Sequence, residues 1–446
     1  MLKQNDKVEY VALSYADCET VGKVEETTVF VPQMIVGEKA VVKVNYAKHN
    51  VAHATVEKLL TASPLRQTPP CKHFGKCGGC ALMHMDYAEQ LLFKQNKVKN
   101  NLKKIGGLDF DVLPTVPSPK TLGYRNKLSL PVRGKIGDVK IGMYQKGSHN
   151  VVDMPNCMLG GSWSCTLVQL FRKYLNENKI APYNEKNFSG QVRHLVARYV
   201  DGQLLVTVVS NGKWKQNLQP FVALLRQNFE KFGLFVNENE QKNNVILGAK
   251  TYCVCGLEHI ESTHLNTKFL LQPDSFFQVN DNVKDAIYAK VKQLLNVSQT
   301  QVLVDCFSGV GILTNVLASP NYQTYAVEIV PQAVEDAKQN AILNNSPNIT
   351  NVCGDANVEL PKLTREHRDK TLSLVVDPPR KGLGERLCDT ILKARFDNIV
   401  YISCDSATLA RDLKQLCTAY CVDYVQPWDM FPQTAEVETV VHLKRI

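Results

Sequence analysis

Apolar and polar positions alternate in short bursts over the first sixty residues, as VEYVALS, TTVFVPQ, EKAVVKVNYAK and HATVEKLL, broken at Gly22 and Gly37. Period-two runs of this length, punctuated by glycine, predict the strands of a small β-barrel over residues 1–60. Ser63-Pro64 through Pro69-Pro70 cannot carry a sheet ladder and marks a boundary. From Asp86 to Ile105 the period becomes helical. Leu91, Val98, Leu102 and Ile105 share one face, Lys94, Lys97, Lys99, Lys103 and Lys104 lie elsewhere, and Gly106-Gly107 ends the run. The lysines read first as a solvated face, with contact to a phosphate backbone as the alternative. KLSLPV, RHLVARYV and QLLVTVVS predict a mixed α+β unit over 61–265. After 266, apolar strands alternate with helical stretches, the pattern of a doubly wound parallel sheet over 266–446. The expected fold class is α/β, in three units.

A chain of 446 residues suits two or three domains. Lysine and arginine exceed aspartate and glutamate by nine, which suits a polyanionic partner without requiring one. No apolar run approaches about 18 residues, and MLKQNDKVEYVALSYADCETVGKVE lacks the core of a signal peptide. The expectation is a cytoplasmic protein with no membrane partner. Fourteen cysteines without an export signal point to thiols, metal ligands or a nucleophile, not a disulfide framework.

CKHFGKCGGCALMH spaces Cys71, Cys77 and Cys80 as C-x5-C-x2-C, with Gly78-Gly79 free to wrap a bound group. Three thiolates want a fourth ligand, since tetrahedral zinc and a cubane iron–sulfur cluster each take four protein contacts. Cys157 in DMPNCMLG is the choice, over Cys165 and the Cys253/Cys255 pair. Spacing leaves zinc and iron open.

QVLVDCFSGVGILT joins an apolar strand, Asp305 at its tip, and Gly309 and Gly311 opening a helix. Open α/β sheets bind ligands at such strand ends. TYAVEIVPQAVEDAKQNAILNN is a second strand ending in Glu328, where a carboxylate can hold two ribose hydroxyls. Ile312, Leu313 and Thr314 replace the rest of G-x-G-x-x-G, which favours S-adenosylmethionine over NAD. Asp355 in NVCGDA ends a third strand, within reach of an adenine amino group, and Asp377 in LSLVVDPPRKGLG ends a fourth. NIVYISCDSATLARDL repeats the unit with Cys404 at the tip. A helix start there is expected to bias the thiol toward thiolate.

Taken together, these motifs resemble the S-adenosylmethionine-dependent RNA (uracil-5-)-methyltransferase family, particularly its 23S ribosomal RNA branch, over nearly the whole chain. DPPRKG, SCDSATLARDL and DMFPQTAEVET, in that order, are the most specific part. The resemblance implies a Rossmann-like methyltransferase domain preceded by an OB-like TRAM barrel and a central domain holding a [4Fe-4S] cluster on Cys71, Cys77, Cys80 and Cys157. It implies donor contacts from Gln278, Phe307, Glu328, Asp355 and Asp377, Cys404 as nucleophile and Glu438 as base. The chemistry agrees. Thiolate addition at uracil carbon 6 makes carbon 5 an enolate carbon that can take a methyl group, and a base then removes the carbon 5 proton. The expected partner is RNA, 23S ribosomal RNA before transfer RNA, with a flipped uracil stacked on Phe276 or Phe277. No protein partner is implied, and a monomer is expected.

The chain departs from the family at Asp405-Ser406, where Asn-Pro is usual, at Ser308, at Ile312, and at Glu436, where histidine is usual. Glu436 would share a strand face with Glu438 and rival it as base, and Asp405 would disfavour thiolate. These changes leave open an RNA-binding or assembly factor without turnover. Arg125 and Lys127 are read as RNA contacts or surface residues, and His194 as structural.

Overall fold

In the strand Thr27–Pro32, TTVFVP, alternate residues turn Val29 and Val31 inward, both with no exposed surface. The computed structural model, which describes residues 2–295 and 300–446, places this strand in a six-stranded sheet. The sheet order is Lys7–Val11, Lys39–Lys48, Val51–Thr61, Thr27–Pro32, Glu19–Val24 and Ser14–Ala16. Its two edge strands are consecutive in the chain, so the sheet closes on itself around Tyr10, Val42, Val44 and Ala54. Closure draws backbone tightly together at Gly22, where a Cβ would meet the Val11 carbonyl oxygen at 2.2 Å.

A seven-stranded sheet follows, in the order Lys250–Gly256, Lys231–Glu238, Gln203–Ser210, Val192–Val200, Lys127–Lys135, Asp138–Tyr144 and Val151–Asp153. Helices Gly161–Glu177 and Gln219–Asn228 pack on it through Phe171, Tyr174 and Phe221.

The third sheet also has seven strands. Its order is Ile349–Cys353, Gln323–Glu328, Val302–Cys306, Leu372–Val376, Asn398–Ser403, Glu438–Arg445 and Tyr420–Trp428. The first five are parallel, and chain order reverses at Val302–Cys306, which opens a crevice outside the carboxyl ends of the strands. The expectation of a purely parallel sheet fails at Glu438–Arg445, which runs antiparallel to both neighbours. Its first residue therefore lies at the edge where the parallel strands end.

Helix Tyr87–Asn101 begins on Asp86, whose carboxylate accepts from the Glu89 N–H, and buries Val98 as its apolar pattern predicts. Two positions differ. A π-turn over Leu102–Gly106 adds a residue to the turn and carries Ile105 off the face, so that Ile105 is exposed. Lys94, placed by pattern on the polar side, has no exposed surface. Val98, Leu102 and Val112 join the core of the third sheet, alongside Leu409, Leu413 and Val425. Residues 86–112, expected within the central unit, thus lend their apolar side to the C-terminal one.

Candidate active site

Strand Val302–Cys306 is buried along its whole length, and the chain leaves it through Phe307 at φ 65°, a left-handed conformation unusual for phenylalanine. Gly311, at φ 75°, then starts the next helix so close to Ala337 that a Cβ would lie 3.1 Å from that side chain. This turn forms one wall of a cavity of about 700 Å³. Gln278, Phe307, Glu328, Asp355, Asp377, Cys404 and Glu438 all line it, so the structure gathers the five expected donor contacts with the expected nucleophile and base.

Their local bonds differ. Glu328 accepts from the Gly309 N–H at 3.1 Å and the Val330 N–H at 2.8 Å, which fixes its carboxylate across the glycine turn. Asp355 caps helix Ala356–Glu366, and the Asn357 N–H bonds hold its carboxyl below the usual range. Gln278 donates to Asp377 at 3.5 Å, and its own carbonyl accepts from Asn126 at 3.0 Å. Asp377 opens onto the cavity but lies deep, and burial raises its pKa.

Cys404 and Glu438 meet because Ser403 is in register with Thr439 across the antiparallel pair. Glu438 is 1% exposed, and its Oε1 has no hydrogen-bond partner. Burial, then Asp377, raises its pKa well above the carboxylate range, with Arg380 opposing. Cys404 is pushed up to about 12 by burial, then by Glu438 and Asp377, with Arg380 again opposing. The expectation of a thiolate biased by the helix start is therefore corrected. Asp405 caps that helix, accepting from the Ala407 and Thr408 N–H groups at 3.0 and 2.9 Å. The amides that would have stabilised a thiolate are already taken.

Glu436 is likewise corrected. It precedes the strand, does not line the cavity, and pairs with Arg380 at 3.3 Å. Phe277 is buried under Lys284, whose ammonium lies 4.3 Å from its ring centroid, whereas Phe276 is 71% exposed and lines the cavity. Only Phe276 is available for stacking. Arg380, Ile329 and Phe431 also line the cavity; DPPRKG and DMFPQ carried two of them in plain view, but nothing in the pattern set their direction.

Cys71, Cys77, Cys80 and Cys157 line a separate pocket walled by Phe74, Met83, Leu128 and Met143. Cys165, Cys253 and Cys255 do not reach it. The Gly79 N–H points at the Cys77 sulfur at 3.3 Å, and Arg125 lines the pocket instead of the open surface. Among the described residues no three ligand side chains are placed to hold a metal ion. Lys127 is partly buried in its strand, with its pKa lowered to about 8 by burial and by Arg198, and His194 is 6% exposed in the core, as expected of a structural residue.

The switch-point cleft, the acids at its strand ends and the thiol beside them define an α/β methyltransferase fold. The family model described as tRNA (Uracil-5-)-methyltransferase matches residues 86–446. Proteins described as uncharacterized RNA methyltransferases are similar at 36% identity, one from Bacillus cereus over 96% of this chain and 94% of its own length, and one from Listeria innocua over 99% and 98%. The crystal structure of Pyrococcus abyssi tRNA (uracil-54, C5)-methyltransferase, in complex with S-adenosyl-L-homocysteine, matches with TM-score 0.77 and 27% identity, covering 97% of this chain and 99% of that one. The chain belongs to the RNA (uracil-5-)-methyltransferase family.

Proposed function

We propose that this protein methylates carbon 5 of a uridine in RNA through a covalent bond from Cys404 to carbon 6. The observation that carries this reading is the opening of Cys404 and Glu438 into the cavity that also holds Gln278, Phe307, Glu328, Asp355 and Asp377. Bound there, S-adenosylmethionine would supply an electrophilic methyl group on a sulfonium. Glu328 would hold the ribose hydroxyls and Asp355 the adenine amino group. Cys404 starts as a thiol and gives up its proton to solvent water as its sulfur bonds to carbon 6, which leaves the Glu438 carboxylate free for the later step. The uracil then carries an enolate whose carbon 5 takes the methyl group. Glu438 removes the carbon 5 proton, the ring double bond re-forms, and the Cys404 sulfur leaves. Burial raises the pKa of Glu438, so its carboxylate, once formed, is a stronger base than an exposed one, and the ionised fraction near neutrality is smaller.

The catalytic motifs are shared with enzymes that act on transfer RNA, and the N-terminal barrel with the cysteine cluster inclines the reading toward large-subunit ribosomal RNA as substrate. A transfer RNA is the second reading, favoured by the Pyrococcus abyssi enzyme, whose match covers 97% of this chain and hence most of the N-terminal barrel. The barrel by itself therefore does not discriminate between the two. It serves as a TRAM-like RNA grip, within a division of 1–60, 61–265 and 266–446. Cys71, Cys77, Cys80 and Cys157 would hold a [4Fe-4S] cluster in their pocket. Its thiol set, apolar walls and N–H···S contact suit one. The enzyme is cytoplasmic and monomeric.

RNA carrying 5-fluorouridine tests the mechanism, because fluorine at carbon 5 cannot leave as a proton. A covalent protein–RNA adduct that requires both Cys404 and methyl donor is expected. An adduct that persists in Cys404→Ala, or none with the wild type, overturns the proposal and favours a binding factor. Mapping 5-methyluridine after deletion of the gene separates the two RNAs.

A further inference from the structure

At the opposite end of the C-terminal sheet from the cleft lies a second, shallow groove of about 580 Å³. Strand Leu372–Val376 spans the two, with Leu372 lining the groove and Asp377, just past its other end, lining the donor cavity. Five residues of extended chain separate them by about 17 Å. The groove lies between the ends of helices Ala356–Glu366 and Gly384–Ala394 and the end of strand Glu438–Arg445. Arg365, Arg368, Lys370, Lys393, Arg395 and Arg445 line it against one carboxylate, Asp397, and all six cations are exposed. That imbalance equals more than half of the chain's net charge of +9.

Little on the protein neutralises it. Asp397 already accepts from the Leu372 N–H at 2.8 Å. Arg368 approaches Asp369 at 3.9 Å, but both are in open solvent, where such a pair is worth little. The other five form no ion pair among the described residues. Cations that complement the helix dipoles account for Arg365 and Lys393, which lie in last turns. Arg395, which ends its helix, and Arg445, whose guanidinium donates to the Arg395 carbonyl at 3.5 Å, also lie at a helix C-terminus, whereas Arg368 and Lys370 are not explained in that way. Arg395 stands out, because it closes its helix at φ 60° and ψ 51°, where glycine is the residue without penalty. An arginine is held there against local preference.

The lining also sets the ligand. No aromatic ring lies among the described lining residues, so a base has no stacking surface, and no glycine-rich turn wraps a single nucleotide. Unpaired guanidinium groups spread along a groove match phosphate oxygens. We propose that this groove grips the phosphate backbone of the substrate RNA away from the target loop, an inference that rests on the substrate being RNA. The contact is sequence-independent and dependent on salt.

The test titrates the full chain, as wild type and as Arg365→Gln/Arg368→Gln/Arg395→Gly, with deproteinised bulk ribosomal RNA and bulk transfer RNA over a series of KCl concentrations. A short uridine oligonucleotide is titrated in parallel. The triple variant should bind the better of the two folded RNAs on the order of tenfold more weakly at low salt, with the slope of log affinity against log salt flatter by about two to three, since each phosphate contact contributes about 0.7 to 0.9. Oligonucleotide affinity should not change. Arg395→Gly alone should melt no lower than wild type, because glycine relieves the left-handed residue, and yet should account for part of the loss. An unmoved slope, or an equal loss on the oligonucleotide, overturns the inference. So does polyglutamate that binds wild type more tightly than the variant while folded RNA binds both equally, which would assign the groove to an acidic protein. Failure of the groove leaves the 5-fluorouridine adduct intact, whereas failure of the proposed function removes it.

Discussion

At the scale of single residues, burial raises the pKa of both Cys404 and Glu438, with Glu438 and then Asp377 adding to the shift on Cys404 and Asp377 adding to that on Glu438. Glu438→Gln should still form the Cys404–uracil bond and accept the methyl group, but lose about 10²- to 10⁴-fold in release, so that a protein–RNA adduct accumulates with unmodified RNA. Denaturing gels resolve that adduct. The same substitution has a pH signature. A carboxyl whose folded pKa is raised above its unfolded value of about 4.3 costs no stability below that pH, and costs progressively more as pH rises through it toward the folded pKa. Glu438→Gln removes the cost, so its stability relative to wild type should be least near pH 4 and grow toward neutrality, by about 1.4 kcal/mol for each pH step of one between the unfolded and folded pKa values. A melting series across pH checks this, and a difference flat with pH would contradict it. The acids at strand ends and the cysteine were legible as motifs. Their protonation was not, because it depends on the dielectric surroundings and on which groups the fold brings close, with Asp377 acting on Cys404 through space and the Asp405 cap competing for the helix amides.

At the scale of elements, helix Tyr87–Asn101 shows how far pattern reading reaches. Its start at Asp86 and the burial of Val98 follow from the sequence. Lys94 does not, because its side chain is buried only by virtue of Asp429, which it meets at 2.5 Å, and the Phe431 carbonyl at 3.0 Å. Removing one member of a buried pair strands the other, so Lys94→Met should destabilise by about 3 to 5 kcal/mol. Adding Asp429→Leu should recover part of the loss, read as a coupling energy in a denaturant double-mutant cycle, the remainder reflecting the Tyr87 hydroxyl, which donates to Asp429 at 2.8 Å. Additive losses would mean that the two charges do not depend on one another.

At the scale of the whole molecule, the segment leading to Glu438 is held from outside its own sheet. The Ala81 and Leu82 N–H groups donate to the Gln433 carbonyl at 3.0 Å each, the Tyr124 hydroxyl donates to Pro432, and Lys97 donates to Ala435. Ala81 and Leu82 follow Cys80 directly, so the cysteine pocket braces the loop that carries the base. Cys77→Ser/Cys80→Ser should therefore lower turnover more than donor affinity, measured by single-turnover methylation beside calorimetric titration of S-adenosylhomocysteine. An equal fall in both would place the damage in the donor cleft.

Local sequence determined the strands, the helices, the order of the motifs and the residue types that the chemistry needs, because periodicity, glycine turns and strand-end acids act over a few positions. Tertiary structure alone decided that the last long strand runs antiparallel, which brings Glu438 beside Cys404, that Glu436 turns to Arg380, and that Lys94 is buried. Each of these depends on which distant segment fills the space next to a side chain, and burial and pairing energies across such gaps leave no trace in the spacing of residues along the chain.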